Sequence, residues 1–207
     1  MGELVTYVCP KGELSKGSEE FLKSLGIPAD LSSKDYVETL PGYWFVRYSG
    51  SAKKMQKVRI VKMRSWDVPQ ITELIGDYGI TGKDIFEEYL LSNRYTTRLN
   101  KVADLDFGYC GLYILGRKPL ENYNQPIRVA SPYPKLSERM MRKLGLWSEV
   151  NSIPLNRLEG SWEALVDLDL TDVVVDVVNG GKTSEANELK KLEKVLDSNA
   201  ILIERPK

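Results

Sequence analysis

The chain contains no histidine. That gap excludes Ser-His-Asp and Cys-His nucleophiles and the zinc sites that hydrolases build around imidazole. Any chemistry here runs on carboxylates, amines, hydroxyls and backbone amides. Cysteine is nearly as scarce: Cys9 and Cys110 are the two thiols, each inside an apolar segment. They read as core residues rather than a disulfide, which fits a reducing compartment. No apolar run approaches the length of a membrane span, and the first residues lack the apolar core of a secretory signal. A cytoplasmic protein that binds no membrane is the expectation. Neither sign of charge is in excess. Lys+Arg and Asp+Glu both total 29, so the bulk charge recruits neither nucleic acid nor an anionic surface, and anion binding would need a local cluster.

What remains is ordinary globular material. With 42% hydrophobic residues in 207, the chain has enough apolar mass for one domain or two small ones. Leu4–Cys9 reads as a strand, followed by Pro10-Lys11-Gly12. A helix then follows, with Leu14, Ser18, Phe21, Leu22 and Leu25 on one face and a stop at Gly26. Strands are expected near 43–48 and 58–63. Asp67 is an N-cap candidate, ahead of a helix with Pro69 in its first turn. Tyr78–Thr81 reads as a strand, Asp84–Leu91 as a helix, and Tyr109–Leu115 and Arg128–Ala130 as strands. Ser137 is expected to cap a helix ending at Gly145; a strand near 150–155 and a helix at 162–167 come next. The stripe Ala186, Leu189, Leu192, Val195 and Leu196 reads as a helix, and Ala200–Ile203 as a closing strand. Strands alternating with helices argue for an α/β fold with largely parallel sheets.

The segment TDVVVDVVNGGKTSEANEL, residues 171–189, carries the most chemistry. On an extended strand Asp172 and Asp176 share a face, yet four residues separate them by roughly 13 Å, so their tasks differ. Asp176, nearer the loop, is the better site candidate, and Asp172 the more structural one. Gly180 and Gly181 let backbone amides approach a ligand closely. Lys182 adds a charge, and Thr183 and Ser184 add hydroxyls where a helix would begin. The spacing is not that of a Walker A loop. An ordinary strand-to-helix turn and a phosphate cradle both fit. Pro10-Lys11-Gly12 and Thr81-Gly82-Lys83-Asp84 repeat the lysine–glycine theme after other strands, and such loops gather at the carboxyl edge of an open α/β sheet.

Taken together these segments resemble the ATP phosphoribosyltransferase family, the first enzymes of histidine biosynthesis. CPKGEL is similar to the family's P-K-G-R-L, RSWDVP to R-x-x-D-I-P, and DYGITGKD to D-x-G-I-x-G-x-D. LDFGYC and RVASPYP resemble its glycine-cysteine strand and R-I-A-T-x-Y-P segment. Gly160-Ser161-Trp162-Glu163, running on to Asp172, Asp176 and Gly181-Lys182-Thr183, resembles G-S-V-E followed by A-D-x-I-V-D-x-V-x-T-G-x-T-L. The chain departs from the pattern at Glu13, Val166, Asp169, Gly180 and Ser184, and between Pro69 and Asp77.

The resemblance implies two α/β lobes similar to a type II periplasmic binding protein, with a cleft between them. Residues 1–104 plus 184–207 would form lobe I, and 105–183 lobe II. It implies transfer of a phosphoribosyl group from phosphoribosyl pyrophosphate to N1 of ATP, with Mg²⁺ carried through pyrophosphate. Asp176, Glu163 and Lys11 would be catalytic. Asp176 with Asn179, Gly180, Gly181, Lys182, Thr183 and Ser184 would hold phosphoribosyl pyrophosphate. Lys11, Gly12, Arg64 and Glu163 would face ATP. The length resembles the family's short form, an oligomer that assembles with a regulatory subunit similar to histidyl-tRNA synthetase. The competing expectation is a catalytically silent paralogue or a two-lobed binding module for a phosphorylated small molecule.

Overall fold

A computed structural model describes residues 4–32, 37–41, 44–46, 52–54, 57–93, 96–146, 164–179 and 189–206. The described chain divides into two compact units. The first comprises Met1–Tyr89, Asn93–Gly108 and Asn199–Lys207, and the second Leu90–Ser92 and Tyr109–Ser198.

The first unit is built on β1 (Leu4–Pro10), whose residues after Leu4 are all buried. A continuous apolar run of this kind belongs at the centre of a sheet covered on both faces. Helix α1 (Ser15–Ser24) buries Ser18 and Leu22, with Leu14, Phe21 and Leu25 packed against the same core. Gly26, at φ +80°, turns the chain after it. β2 (Val37–Pro41) comes next, and β3 (Trp44–Val46) pairs with β4 (Ala52–Lys54) as a separate two-stranded sheet. β5 (Lys57–Met63) leads through a single 3-10 turn at Ser65–Asp67 into α2 (Val68–Ile75). β6 (Tyr78–Gly82), α3 (Lys83–Ser92) and β7 (Asn100–Asp104) follow.

The second unit starts at β8 (Cys110–Gly116) and β9 (Val129–Ala130). Helix α4 (Pro134–Lys143) buries Leu136, Ser137, Met140 and Met141. Then come α5 (Ala164–Asp167), β10 (Val173–Val178) and β11 (Lys190–Ser198), before β12 (Ala200–Glu204) returns to the first unit.

The six-stranded sheet of the first unit runs β2-β5-β1-β6-β12-β7. Its middle, β5-β1-β6, is parallel, while β2, β12 and β7 pair antiparallel. The second sheet runs β11-β8-β10-β9, with β9 parallel to β10 and β8 antiparallel to both its neighbours. The expectation of largely parallel sheets is therefore corrected: the parallel order holds where strand–helix–strand units dominate, and the returning segments lie antiparallel at the flanks. No described helix is long and apolar enough to cross a membrane.

Three local expectations also change. Residues 190–198 form a strand, not a helix. Lys, Leu and Glu carry good helix propensity, but here the open edge of β8 recruits the segment into its ladder. The result has the marks of an outer strand: an alternation blurred by exposed charges and two register shifts. The chain consequently returns to the first unit at Asn199 rather than near 184. Ser137 lies inside α4, not at its cap. Pro134, which has no N–H to satisfy, opens the helix, and the Ser137 hydroxyl donates back to the Tyr133 carbonyl at 2.7 Å. β2, β4 and β7 had no clear sequence signature; β7 is half-exposed and polar. The expected strand near 150–155 lies outside the described residues.

Candidate active site

The parallel trio β5-β1-β6 gathers three connections at one sheet edge. In the register, Pro10 pairs with Met63, and the Lys11 amide donates to the Met63 carbonyl at 2.8 Å. Lys11 and Arg64 are therefore the first residues past the ladder on adjacent strands, about 4.8 Å apart in backbone spacing. Lys11 is half-buried and Arg64 exposed. Gly12 adopts φ +83°, the left-handed region that glycine enters without penalty, and its carbonyl accepts from the Ser15 amide at 3.0 Å to start the turn into α1. Glu13, where the family pattern has arginine, is exposed beside it.

On the other side of β1, Thr81 and Gly82 end β6. The Thr81 hydroxyl donates to the Ser65 carbonyl at 3.3 Å, tying this end to the turn that follows β5. Gly82 has little room for anything larger: a Cβ there would lie 2.4 Å from an Asp84 carboxylate oxygen, because that buried side chain folds back over it. The Lys83 amide donates to the Asn199 carbonyl at 2.9 Å, and its side chain is half-buried. Lys11, Arg64 and Lys83 thus share one carboxyl edge with Asp67 and Asp84. Beneath them Lys62 is almost wholly buried, opposite Cys9 in the register, with Nζ 3.5 Å from the Asp30 carbonyl. Burial pushes the Cys9 thiol up to about 12, against the pull of the Lys62 charge, so it stays protonated.

In the second unit Asp176 lies half-buried on β10, opposite Tyr113 of β8. Its Oδ1 accepts from the Val177 amide at 2.7 Å. Ser131, just past β9, braces the strand next to it. The Ser131 hydroxyl donates to the Val175 carbonyl at 2.6 Å and accepts from the Tyr133 amide at 2.8 Å. Asn179 is exposed at the strand's end.

Asp172 is engaged elsewhere. It accepts from the Arg128 amide at 2.7 Å and from Arg128 Nη2 at 2.9 Å, and the guanidinium holds its carboxyl below the usual carboxylate range. Arg128 also donates to Asp169, which sits at φ +53° in the turn before β10. Asp172 thus braces the start of β10, while Asp176 lies nearer its end.

Glu163, Gly180, Gly181, Lys182, Thr183 and Ser184 lie outside the described residues. Of the anticipated site residues, the structure brings Lys11, Gly12 and Arg64 together in the first unit, and it places Asp176 and Asn179 together in the second. Ser131 and Thr81 were missed as braces. Their types carry no signal alone, and only the ladder register shows which carbonyl each hydroxyl reaches.

Residues 64–207 match the family model described as HisG: ATP phosphoribosyltransferase. The ATP phosphoribosyltransferase of Alkaliphilus metalliredigens is 30% identical over 205 residues, covering 97% of this chain and 87% of that relative. Among solved structures, the ATP phosphoribosyl transferase (HisG:HisZ) complex from Thermotoga maritima aligns over 98% of this chain and 88% of its own, with TM-score 0.72 at 21% identity. The ligand-binding component of an ABC-type import system from Staphylococcus aureus aligns over 98% of this chain and 66% of its own. Its TM-score of 0.51 at 14% identity is a likeness of fold, that of the two-lobed binding proteins.

Proposed function

The chain belongs to the ATP phosphoribosyltransferase family, and we propose that its two units divide the substrates, the first taking ATP and the second the phosphoribosyl group. The reaction joins N1 of ATP to C1 of phosphoribosyl pyrophosphate and releases pyrophosphate, as the first step of histidine biosynthesis. N1 of adenine is unprotonated at neutral pH, so attack on C1 needs no general base, and a chain without histidine is not handicapped. The protein's task is to position the partners and to stabilise charge as pyrophosphate departs.

In this reading Lys11, Gly12 and Arg64 meet the polyphosphate of ATP. The Asn179–Ser184 loop meets the 5-phosphate, and Asp176 orients the ribose hydroxyls. Glu163 orients ribose or adenine. The observation that carries it is the register of the first sheet. Pro10↔Met63 sets Lys11 beside Arg64 at the carboxyl edge, with Lys83 at the end of the neighbouring strand.

Among the described residues no three His, Cys, Asp or Glu side chains converge as a metal cage. The donor set fits a Mg²⁺ held mainly by substrate oxygens, with Asp176 meeting one of its waters. Mg²⁺ would supply charge neutralisation on the departing pyrophosphate. A regulatory subunit similar to histidyl-tRNA synthetase and an oligomeric assembly are proposed as partners, and the cytoplasm as the compartment. Support for the partner comes from the similar fold in the Thermotoga maritima HisG:HisZ complex.

The test is turnover of ATP and phosphoribosyl pyrophosphate with Mg²⁺, by the chain alone and with a co-expressed regulatory subunit. Asp176→Asn is expected to lower kcat by about 100-fold or more without unfolding the chain. Ligand-induced thermal stabilisation with no turnover in either setting would favour the silent binding module instead.

A further inference from the structure

Because residues 190–198 form a strand, they carry Lys191 and Lys194 onto the sheet that holds Asp176. Lys194 pairs with Tyr113, and Tyr113 pairs with Asp176. Directly opposed residues in an antiparallel ladder project to the same face. Lys194, Tyr113 and Asp176 therefore form one row across β11, β8 and β10, with about 10 Å of backbone spacing from end to end. Lys191 pairs with Leu115, two residues along β8, and its Nζ lies 4.9 Å from the Tyr113 ring centroid; Lys194 Nζ lies 5.8 Å from it. The ring itself leans along the strand over Gly111, where a Cβ would stand 2.5 Å from Tyr113 Cε2. Gly111 pairs with Val178, so the ring inclines toward the end of β10 that leads into Asn179.

Two ammonium groups beside one ring repel each other. Asp197 pairs with one of them, its Oδ1 3.0 Å from Lys194 Nζ. An anion arriving beside the ring would relieve that repulsion, and each ammonium offers three donors and no acceptor. It would also offset a difficulty inherent in the site, since Asp176 presents a negative charge to a substrate that is itself polyanionic.

We propose that Lys191 and Lys194, held over Tyr113, form a cationic subsite for the pyrophosphate of phosphoribosyl pyrophosphate beside Asp176. The proposal rests on the reading that Asp176 holds the phosphoribosyl group. Tyr113 is a positioning residue, its ring fixing the lysine stems, and Gly111 is small because the ring occupies the space a side chain would need.

The experiment compares the wild-type chain with the double variants Lys191→Ala/Lys194→Ala and Lys191→Arg/Lys194→Arg, and with Tyr113→Phe and Tyr113→Ala. If turnover requires the regulatory subunit, all are measured with it. Steady-state kinetics give KM for each substrate and kcat; calorimetry with inorganic pyrophosphate and Mg²⁺ at two salt concentrations gives Kd. The double alanine variant is expected to raise KM for phosphoribosyl pyrophosphate and Kd for pyrophosphate about tenfold, with KM for ATP within about twofold. Its affinity should also depend less on salt. The double arginine variant and Tyr113→Phe should restore binding, and Tyr113→Ala should not. Unchanged pyrophosphate affinity and salt dependence in the double alanine variant overturn the subsite, as does equal loss for both substrates. Asp176→Asn separates the two levels. If it impairs phosphoribosyl pyrophosphate binding while the lysine variants do not, the subsite alone is wrong. If it leaves that binding intact, the assignment of Asp176 is wrong, and the proposal falls with it.

Discussion

Asp172→Asn tests whether the first of the two aspartates on this segment acts as a brace rather than a catalyst. The Asp172 carboxylate accepts from the Arg128 amide, Nε and Nη2 at 2.7, 3.2 and 2.9 Å, and its side chain is 21% exposed. Hydrogen bonds to a charged group contribute about 1.5–3 kcal/mol, and an amide of the same shape keeps part of that, so the loss should be about 1–2 kcal/mol. For a chain of this size such a loss lowers Tm by roughly 3–6 °C. The pH dependence is the sharper test. The hydrogen bond from the Arg128 side chain keeps the folded carboxyl below the usual carboxylate range, outweighing the opposing effect of burial. A depressed folded pKa contributes stability that is complete above the ordinary aspartate value of about 4 and is lost as pH falls through the lower folded value. Thermal melts followed by circular dichroism should thus separate wild type from variant at pH 7 and bring them together toward pH 3. Turnover should stay within about twofold, since Asp172 touches no reacting atom in this scheme. A Tm gap of equal size at pH 7 and pH 3 would refute the charge-based brace. A collapse of kcat with Tm intact would move Asp172 into the site.

Ser131→Ala strips a donor from the Val175 carbonyl and an acceptor from the Tyr133 amide, both at a buried position. Urea unfolding should show a loss of about 1–3 kcal/mol, largely recovered in Ser131→Thr, which keeps the hydroxyl. Thiol labelling of the folded chain should modify Cys110 and spare Cys9, which is wholly buried with its pKa pushed up to about 12; denaturant should expose both. Rapid labelling of Cys9 in the folded chain would contradict its place in the core. With no imidazole present, kcat/KM should be flat from about pH 7 to 9, any lower limb reflecting substrate phosphates and persisting in Cys110→Ser. A protein-borne limb near neutral pH would show that a group other than those named takes part in catalysis.

The sequence and the structure agree where local signals point one way. The buried run of β1, the Pro10-Lys11-Gly12 turn and the Val173–Val178 strand each combine apolar pattern with turn chemistry, and each folds as those signals indicate. β11 shows the opposite case. Its Lys–Lys–Leu–Glu–Lys composition favours a helix locally, and what decides it is a vacant ladder edge on β8, some eighty residues away in sequence. That misreading also concealed Lys194 in the row of Asp176 and Lys191 beside Tyr113, because the row exists only in the paired register. Asp172 and Asp176 were separable by spacing alone. The partner that occupies Asp172 was not, since Arg128 is a long-range contact.

The missing histidine and the sheet edges bear on the same question. A reaction that needs no proton abstraction at neutral pH asks the fold for fixed dipoles and cations at places where phosphates can reach. Strands supply these at their carboxyl ends. The ladder stops, the next amide is freed for a turn, and register brings residues from distant sequence side by side. Lys11 and Arg64 are neighbours because Pro10 pairs with Met63, and Lys194 reaches the row of Asp176 because each pairs with Tyr113. Positioning by register is rigid, because a one-residue slip would turn every buried valine of β10 to the opposite face. The same apolar packing that stabilises each sheet therefore also fixes the geometry of its charged side chains, and a side chain that titrates near neutrality would add nothing to it.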